Sequence, residues 1–482
     1  MRLGDLAGID SGVGLAGAAS ENDVEVSGVA IDSRKVVPGS LFGAFLGSVH
    51  NGEDFIPAAI ERGAVAVVAR PEAQVEGAVH VADPEPRRRF AGLAARLLAP
   101  YPETIVAVTG TNGKTSTVEM VRQLWRMAGH RSASIGTLGV TTADDQVKTG
   151  LTTPDIVTFL SNLAGLRKLG ISHVAYEASS HGLDQYRSEG QPVAAAAFTN
   201  FSRDHLDYHT DMDSYFAAKM RLFDEVVDAS GTAVVWTGDA RSAEVIEHVR
   251  SRGLTLITVG PDAETIALID RNPTPLGQTL LLRVQGKEHK LSLPLIGAYQ
   301  AANVLVAAGL VLATGAEWPA TFAGMARLAP VRGRLERAVI SPAGVPVYVD
   351  YAHTPDAIEA AIAALRPHVT GRLFTVFGAG GDRDIGKRPD MGRVAAELSD
   401  IAIVTDDNPR REDPAKIRAE VMASGLGLRE ISGRREAIAA AIAEARAGDI
   451  ILLAGKGHEQ GQILADRTIP FDDVTVAREC AA

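Results

Sequence analysis

Ile105-Val106-Ala107-Val108-Thr109-Gly110-Thr111-Asn112-Gly113-Lys114-Thr115 is the stretch on which the reading of the fold turns. An apolar run of strand length ends at Gly110, a second glycine follows at Gly113, and Lys114-Thr115 opens an amphipathic stretch. There Val118, Val121, Trp125 and Ala128 recur at helical spacing, and Gly129 supplies a stop. Strand, glycine turn and helix in immediate succession hold polyphosphates. Glycines let backbone N–H groups converge, and the helix N-terminus adds the positive end of its dipole. Lys114 is then expected at the β- and γ-phosphates and the Thr115 hydroxyl at Mg²⁺. Val108 stands where an ordinary GxxxxGK[ST] loop has its first glycine, so the loop is a shortened variant. A mere tight turn with an exposed lysine is the plainer reading, and the flanking strand and helix count against it.

Outward from this loop, β-rich runs alternate with amphipathic helical stretches, the pattern of α/β domains with parallel sheets. With ~150 residues per domain, the 482-residue chain is expected to hold three, over 1–90, 91–330 and 331–482. The first holds the segment 27–32, Asp32-Ser33-Arg34, a turn at Pro38-Gly39 and a strand at 40–46. The third has strands at 346–350, 373–377 and 401–405 and a helix at 356–365, which reads as a second doubly wound, Rossmann-like unit. The net charge of −11 leaves no basic stripe for a nucleic acid. One cysteine, Cys480, makes neither an internal disulfide nor a thiolate zinc cluster. Residues 1–14 lack a basic segment followed by an apolar core, and no run of ~18 apolar residues occurs, so a cytoplasmic protein without membrane insertion is expected.

Glu177 follows a strand-like run at 171–176 and precedes Ala178-Ser179-Ser180-His181-Gly182. A carboxylate at the carboxyl end of a strand beside a phosphate loop is where a metal ligand belongs; a surface glutamate near a helix cap is the alternative. In 214–223, Phe216 and Phe223 lie seven apart on one helical face, with Lys219 between them. Such a lysine usually snorkels to water. Fully desolvated, it becomes a neutral, reactive amine. Asp407-Asn408-Pro409-Arg410 reads as a turn after a strand, because Asn-Pro continues neither strand nor helix.

Gly-Thr-Asn-Gly-Lys-Thr at 110–115 and Glu-Ala-Ser-Ser-His-Gly at 177–182 resemble motifs of the Mur ligases. So do Asp204-His205-Leu206-Asp207-Tyr208-His209, Tyr215-Phe216-Ala217-Ala218-Lys219, the helix start at Gly297, Asp350-Tyr351-Ala352-His353 and Gly380-Gly381-Asp382-Arg383. They stand in the family's order over nearly the whole chain. The resemblance implies a uridine-binding α/β N-domain, a central P-loop ATPase domain with a parallel sheet and a Rossmann-like C-domain. ATP is implied as cosubstrate and Mg²⁺ as cofactor. Gly110, Thr111, Asn112, Gly113, Lys114, Thr115, Ser116, Asn303 and His353 are implied at ATP; Gln300 replaces an asparagine of the family motif. Lys114, Lys219, His205 and Glu177 are the implied catalytic residues. Thr115, Glu177, His205 and Lys219 are the implied metal ligands, the lysine as a carbamate formed with CO₂.

The resemblance reaches further, to the member of the family that adds the third residue to the cell-wall precursor. Ser33, Ser48, Val49, His50, Thr152, Thr153, Ser179, Gln185 and Arg187 look like its contacts to UDP-N-acetylmuramoyl-L-alanyl-D-glutamate. Arg383, Asp407, Asn408, Pro409, Arg410, Gly455 and Glu459 look like its contacts to meso-2,6-diaminopimelate. Arg410 would hold the distal carboxylate, since a guanidinium meets a carboxylate bidentately. The implied activity is ATP-dependent ligation of these two small molecules through an acyl phosphate, in peptidoglycan synthesis, by a monomer. The alternatives are a lysine-adding version, a folylpolyglutamate synthase-like ligase, and a regulatory P-loop NTPase. The last lacks support, for no guanine-reading Asn-Lys-x-Asp occurs.

Overall fold

The computed structural model describes residues 1–7, 24–47, 50–147, 150–274, 277–423 and 427–482. Ser48 and Val49, expected at the precursor, lie outside them. The chain forms three main sheets, one for each α/β unit.

The first sheet is wholly parallel, in the order Gly28–Ala30, Ser40–Gly43, Ala64–Ala69, Val79–Ala82. Its first strand lies within the segment 27–32, and its second, Ser40–Gly43, is shorter than the strand expected at 40–46. After the first strand Asp32 caps a 3₁₀ turn, Ser33–Lys35, with its side chain accepting from Arg34 N. The helix Pro86–Leu98 runs through position 90 and buries Phe90, Leu93 and Ala94. These residues share one core with Ile105, Phe159 and Tyr176 of the next unit, so the first two units are continuous in packing.

Eleven strands form the central sheet. Six are parallel in the middle: Thr255–Gly260, Val227–Trp236, Val193–Phe198, Thr104–Thr109, His173–Glu177 and Ser132–Gly136. An antiparallel hairpin series, Ile266–Thr274, Gly277–Val284 and Lys287–Leu293, extends one edge. Side chains alternate between faces along each strand. Thus Ile105 and Ala107 enter one core, and Val106 and Val108 the other, beneath the helices Lys114–Met127 and Ala298–Ala313. That two-sided burial is why the strand reads as an unbroken apolar run.

The C-terminal sheet orders Glu336–Ile340, Pro346–Asp350, Ile450–Ala454, Leu373–Phe377, Ile401–Val404 and Leu428–Glu430, antiparallel only at its first pair. Its strands also feed two cores, Leu452 and Val404 to one, Ile451 and Leu453 to the other. It meets the central unit through Tyr299, whose hydroxyl donates to Asp350 at 3.2 Å, and Gln300, whose amide donates to the Arg334 carbonyl at 3.1 Å. Among the described residues no helix is long and apolar enough to cross a membrane.

Candidate active site

The strand Thr104–Thr109 lies between Val193–Phe198 and His173–Glu177. The carboxyl ends of three neighbouring strands therefore deliver Gly110, Thr199-Asn200 and Glu177 to one crevice, where α/β sheets bind ligands. Gly110 and Gly113 have φ of 141° and 87°. A Cβ on Gly110 would collide with the Thr199 hydroxyl, and one on Gly113 with the Asn303 side-chain oxygen. Both positions thus need glycine for backbone and for space. The loop is latched from the adjacent strand end: Asn112 N donates to Asn200 Oδ1 at 2.8 Å, and Asn200 Nδ2 returns a bond to the Asn112 carbonyl at 3.1 Å. Lys114 opens the helix and curls back, its Nζ donating to the Gly110 and Thr111 carbonyls, both at 2.8 Å.

Glu177 is 1% exposed and accepts from Thr137 N at 2.7 Å and Thr137 Oγ1 at 3.1 Å. Burial pushes its carboxyl up, against the pull of the Lys114 charge. Lys219 is also 1% exposed, so it does not snorkel. Its helix, Met212–Arg221, is started by an Asp211–Ser214 capping box and buries Phe216 with it. Lys219 Nζ donates to the Gly110 carbonyl at 2.8 Å and lies 4.3 Å from the Tyr215 ring centroid. Burial first, then the Lys114 charge, holds its pKa well below the usual lysine value. His205 sits in left-handed backbone, with its ring 3.6 Å from Asp204 and 4.9 Å from the His181 ring. Burial lowers its pKa to about 4, so the imidazole is neutral. His353 donates from Nδ1 to the Tyr351 carbonyl at 2.7 Å, which leaves Nε2 as the acceptor.

A cavity of about 440 Å³ joins these groups. The central unit contributes Lys114, Thr115, Ser116, Glu177, His205 and Lys219, and the C-terminal unit Arg334, Asp350 and His353. Arg334 carried no site reading in the sequence, yet it bridges the units: Nη2 donates to Thr115 Oγ1 at 3.0 Å, and the guanidinium lies 4.6 Å from the Tyr351 ring centroid. Thr137, which orients Glu177, was also missed. Both act on partners far away in sequence, which no local pattern reveals. Among the described residues no three His, Cys, Asp or Glu side chains cluster at metal-ligating spacing. The Thr115 hydroxyl and the Glu177 carboxylate still suit Mg²⁺, a hard cation commonly held by one or two protein oxygens plus substrate phosphates and water.

The precursor-side residues of the central unit come together next to Glu177. Thr153 Oγ1 donates to the Glu177 carbonyl at 2.8 Å and stands 2.9 Å from Ser179 Oγ. Arg187 donates to the Thr153 carbonyl at 3.1 Å and to Gln185 Oε1 at 2.7 Å, and Thr152 Oγ1 lies 3.1 Å from Thr137 Oγ1. Ser33 and His50 stay on the first unit, and among the described residues no hydrogen bond joins them to this cluster.

On the C-terminal side, Asn408 Nδ2 donates to Glu459 Oε2 at 2.7 Å and Arg410 Nη1 to the Gly381 carbonyl at 2.8 Å. A Cβ on Gly380 would press on Arg410 Nη1 and touch Arg383 Cγ, so the two arginines flank one glycine loop. A Cβ on Gly381 would collide with the Pro409 carbonyl, and one on Gly455, at φ 113°, with the Asp407 carboxylate. The residues expected at the amino acid thus form one compact wall.

Three family descriptions match consecutive segments: "Mur ligase family, catalytic domain" at 25–97, "Mur ligase middle domain" at 108–311, and "Mur ligase, glutamate ligase domain" at 333–457. A UDP-N-acetylmuramoyl-L-alanyl-D-glutamate–2,6-diaminopimelate ligase from Zymomonas mobilis subsp. mobilis is 58% identical, covering 99% of this chain and 98% of its own. A ligase of the same name from Caulobacter vibrioides is 48% identical, covering 94% of each. A solved structure with that enzyme name superposes with a TM-score of 0.73 at 32% identity, covering 100% of this chain and 98% of its own.

Proposed function

The chain belongs to the Mur ligase family, and from that membership we propose that it ligates meso-2,6-diaminopimelate to UDP-N-acetylmuramoyl-L-alanyl-D-glutamate at the cost of ATP. The observation that carries this reading is the single crevice in which the phosphate loop, Glu177 and the C-terminal Arg334 and His353 meet. The Thr153–Arg187 cluster adjoins it through Thr152 and Ser179, and the Asn408–Arg410 wall through Gly457, which packs on Tyr351. A carboxylate does not condense with an amine in water unless it is activated. In this reading the D-glutamyl γ-carboxylate attacks the γ-phosphorus of ATP, ADP leaves, and an acyl phosphate forms. The amine of diaminopimelate then attacks the acyl carbon and inorganic phosphate departs.

Lys114, the loop N–H groups and Arg334 neutralise charge on the transferring phosphoryl group, where fixed donors in a dry site act most strongly. Asn303 and His353 contact the nucleotide from opposite units. Thr115 and Glu177 would hold Mg²⁺ with His205, and the ion would supply charge neutralisation at the phosphates. Lys219, its pKa lowered by burial, adds to CO₂ as the free amine; the carbamic acid so formed releases a proton and leaves an anion that would support the metal where an ammonium would repel it. Arg187, Gln185, Thr152, Thr153 and Ser179, with Ser33 and His50 from the first unit, hold the precursor. Segments 1–90, 91–330 and 331–482 divide the labour into precursor, ATP and amino acid. The enzyme works as a cytoplasmic monomer.

An amino-acid panel incubated with ATP and the UDP-dipeptide, with product read by mass, tests the assignment. Meso-diaminopimelate should be incorporated and L-lysine poorly, because with lysine the partly buried Arg410 lacks a charged hydrogen-bond partner worth about 1.5–3 kcal/mol. Arg410→Ala should lose that preference. Equal use of lysine by the wild-type chain would move the function to the lysine-adding version.

A further inference from the structure

Lys456 is wholly buried, the only lysine besides Lys219 within the described core. It sits between Gly455 and Gly457, both at positive φ, 113° and 52°. A Cβ on Gly455 would collide with the Asp407 carboxylate, and one on Gly457 with Tyr351 and the Gly333 carbonyl. The two glycines therefore press the backbone tightly against the site wall and turn the lysine inward, a geometry side-chain-bearing residues rarely adopt. A buried ammonium needs partners, and Lys456 has them. Its Nζ donates to Asn408 Oδ1 at 2.9 Å and to Glu459 Oε2 at 3.3 Å.

The Asn408 amide is held at both ends. Its oxygen accepts from Lys456 Nζ and, at 3.0 Å, from Ile463 N; its nitrogen donates to Glu459 Oε2 at 2.7 Å. With two donors on one side, only one orientation of the amide satisfies the network. Glu459 in turn has Oε2 occupied by Asn408 and Lys456, while its side chain keeps 28% exposure. One carboxylate oxygen is thus pinned by two donors, and the partly exposed carboxylate keeps acceptor capacity for an ammonium.

We propose that Lys456 is a positioning residue for acceptor selection. It orients Asn408 and Glu459 so that the wall formed with Arg410 recognises one ammonium–carboxylate arrangement at the far end of the amino acid. The inference rests on the proposed function of that wall. The lysine itself is not among the residues that line the phosphate-loop cavity. Its loss should be felt in the amino acid alone, and above all in stereochemistry. Meso- and LL-diaminopimelate present the same groups with one centre inverted, so only a rigid pair of partners separates them.

The test is steady-state kinetics of Lys456→Met and Lys456→Gln in the full chain, varying each substrate in turn. The expected result is an amino-acid KM raised about ten- to a hundredfold in Lys456→Met, as for loss of a charged hydrogen-bond donor. KM for ATP and for the UDP-dipeptide should hold, kcat should change little, and the meso-over-LL preference in kcat/KM should fall. Lys456→Gln, which keeps a shorter donor, should lie between. Parallel changes in all three KM values, or an unchanged meso-over-LL ratio, would overturn the proposal. If Lys456→Met does not fold, Lys456→Gln decides alone by the same ratio. Arg410→Ala is the control: if it too leaves amino-acid KM unchanged, the wall is not the acceptor site at all. If it raises KM while the Lys456 variants do not, only the role of Lys456 falls.

Discussion

Two ammonium groups, those of Lys114 and Lys219, donate to the same Gly110 carbonyl, each at 2.8 Å. Like charges that close in a buried site do not both persist at low cost. Both feel the Asp204 carboxylate, but Lys114 has Glu177 as well, whereas Lys219 faces the Tyr215 ring, and burial with the Lys114 charge holds its pKa well below the usual lysine value, so Lys219 gives up its proton the more readily. Lys219→Ala should accordingly lower kcat by roughly a hundredfold or more, the scale of losing one electrostatic stabiliser. Formate or acetate should restore part of the rate by replacing the carbamate oxygens. A variant with near-normal turnover, or one untouched by either anion, would remove the carbamate from the account. At this scale Lys219 was legible, because its anomaly is local: a cation on a Phe216/Phe223 face. Arg334 was not, because its partner Thr115 lies 219 residues away.

The helix Pro86–Leu98 carries the contact between the first and central units. Gly190, at φ 87°, packs so closely on it that a Cβ would press on the Ala91 carbonyl. Beside it, Glu189 lies 3.5 Å from Arg88 of that helix and 3.6 Å from Arg221. Burial, then the Glu225 carboxylate, pushes Glu189 up to about 8 from an ordinary 4.5. In that window the folded chain binds a proton that the unfolded chain has released, so stability falls as pH rises. The contribution is complete below pH 4.5 and lost as pH passes about 8. Glu189→Gln should therefore gain on the wild-type chain in denaturant unfolding between pH 5 and 8, by at most about 1.4 kcal/mol per pH unit. A constant difference across that range would contradict the assignment. Among elements, the strands Pro346–Asp350 and Leu373–Phe377 and the phosphate-loop helix were plain in the sequence, since two-sided burial and a glycine stop write themselves into composition. The strand expected at 40–46 was overread: it ends at Gly43, where a Cβ would press on the Phe45 and Phe90 rings, a close approach no hydrophobic pattern reveals.

At the scale of the whole molecule, the central and C-terminal units meet at one crevice, and the first unit packs on the central one through the helix Pro86–Leu98. The central unit alone has the phosphate loop, but Arg334 and His353 reach its cavity from the C-terminal unit, and Tyr299 and Gln300 tie the two together. Such a division makes ATP cleavage useful only when the precursor carboxylate is in line with the γ-phosphate. The order of the motifs was visible in the chain, whereas their convergence needed the fold. The central claim is that ATP activates the precursor's own carboxylate, and isotope transfer reads this directly. With ¹⁸O in both oxygens of the D-glutamyl γ-carboxylate, one turnover with ATP and meso-diaminopimelate should release inorganic phosphate carrying one ¹⁸O, in equal amount to the amide formed. Unlabelled phosphate, released at the same rate whether or not the precursor is present, would contradict the account.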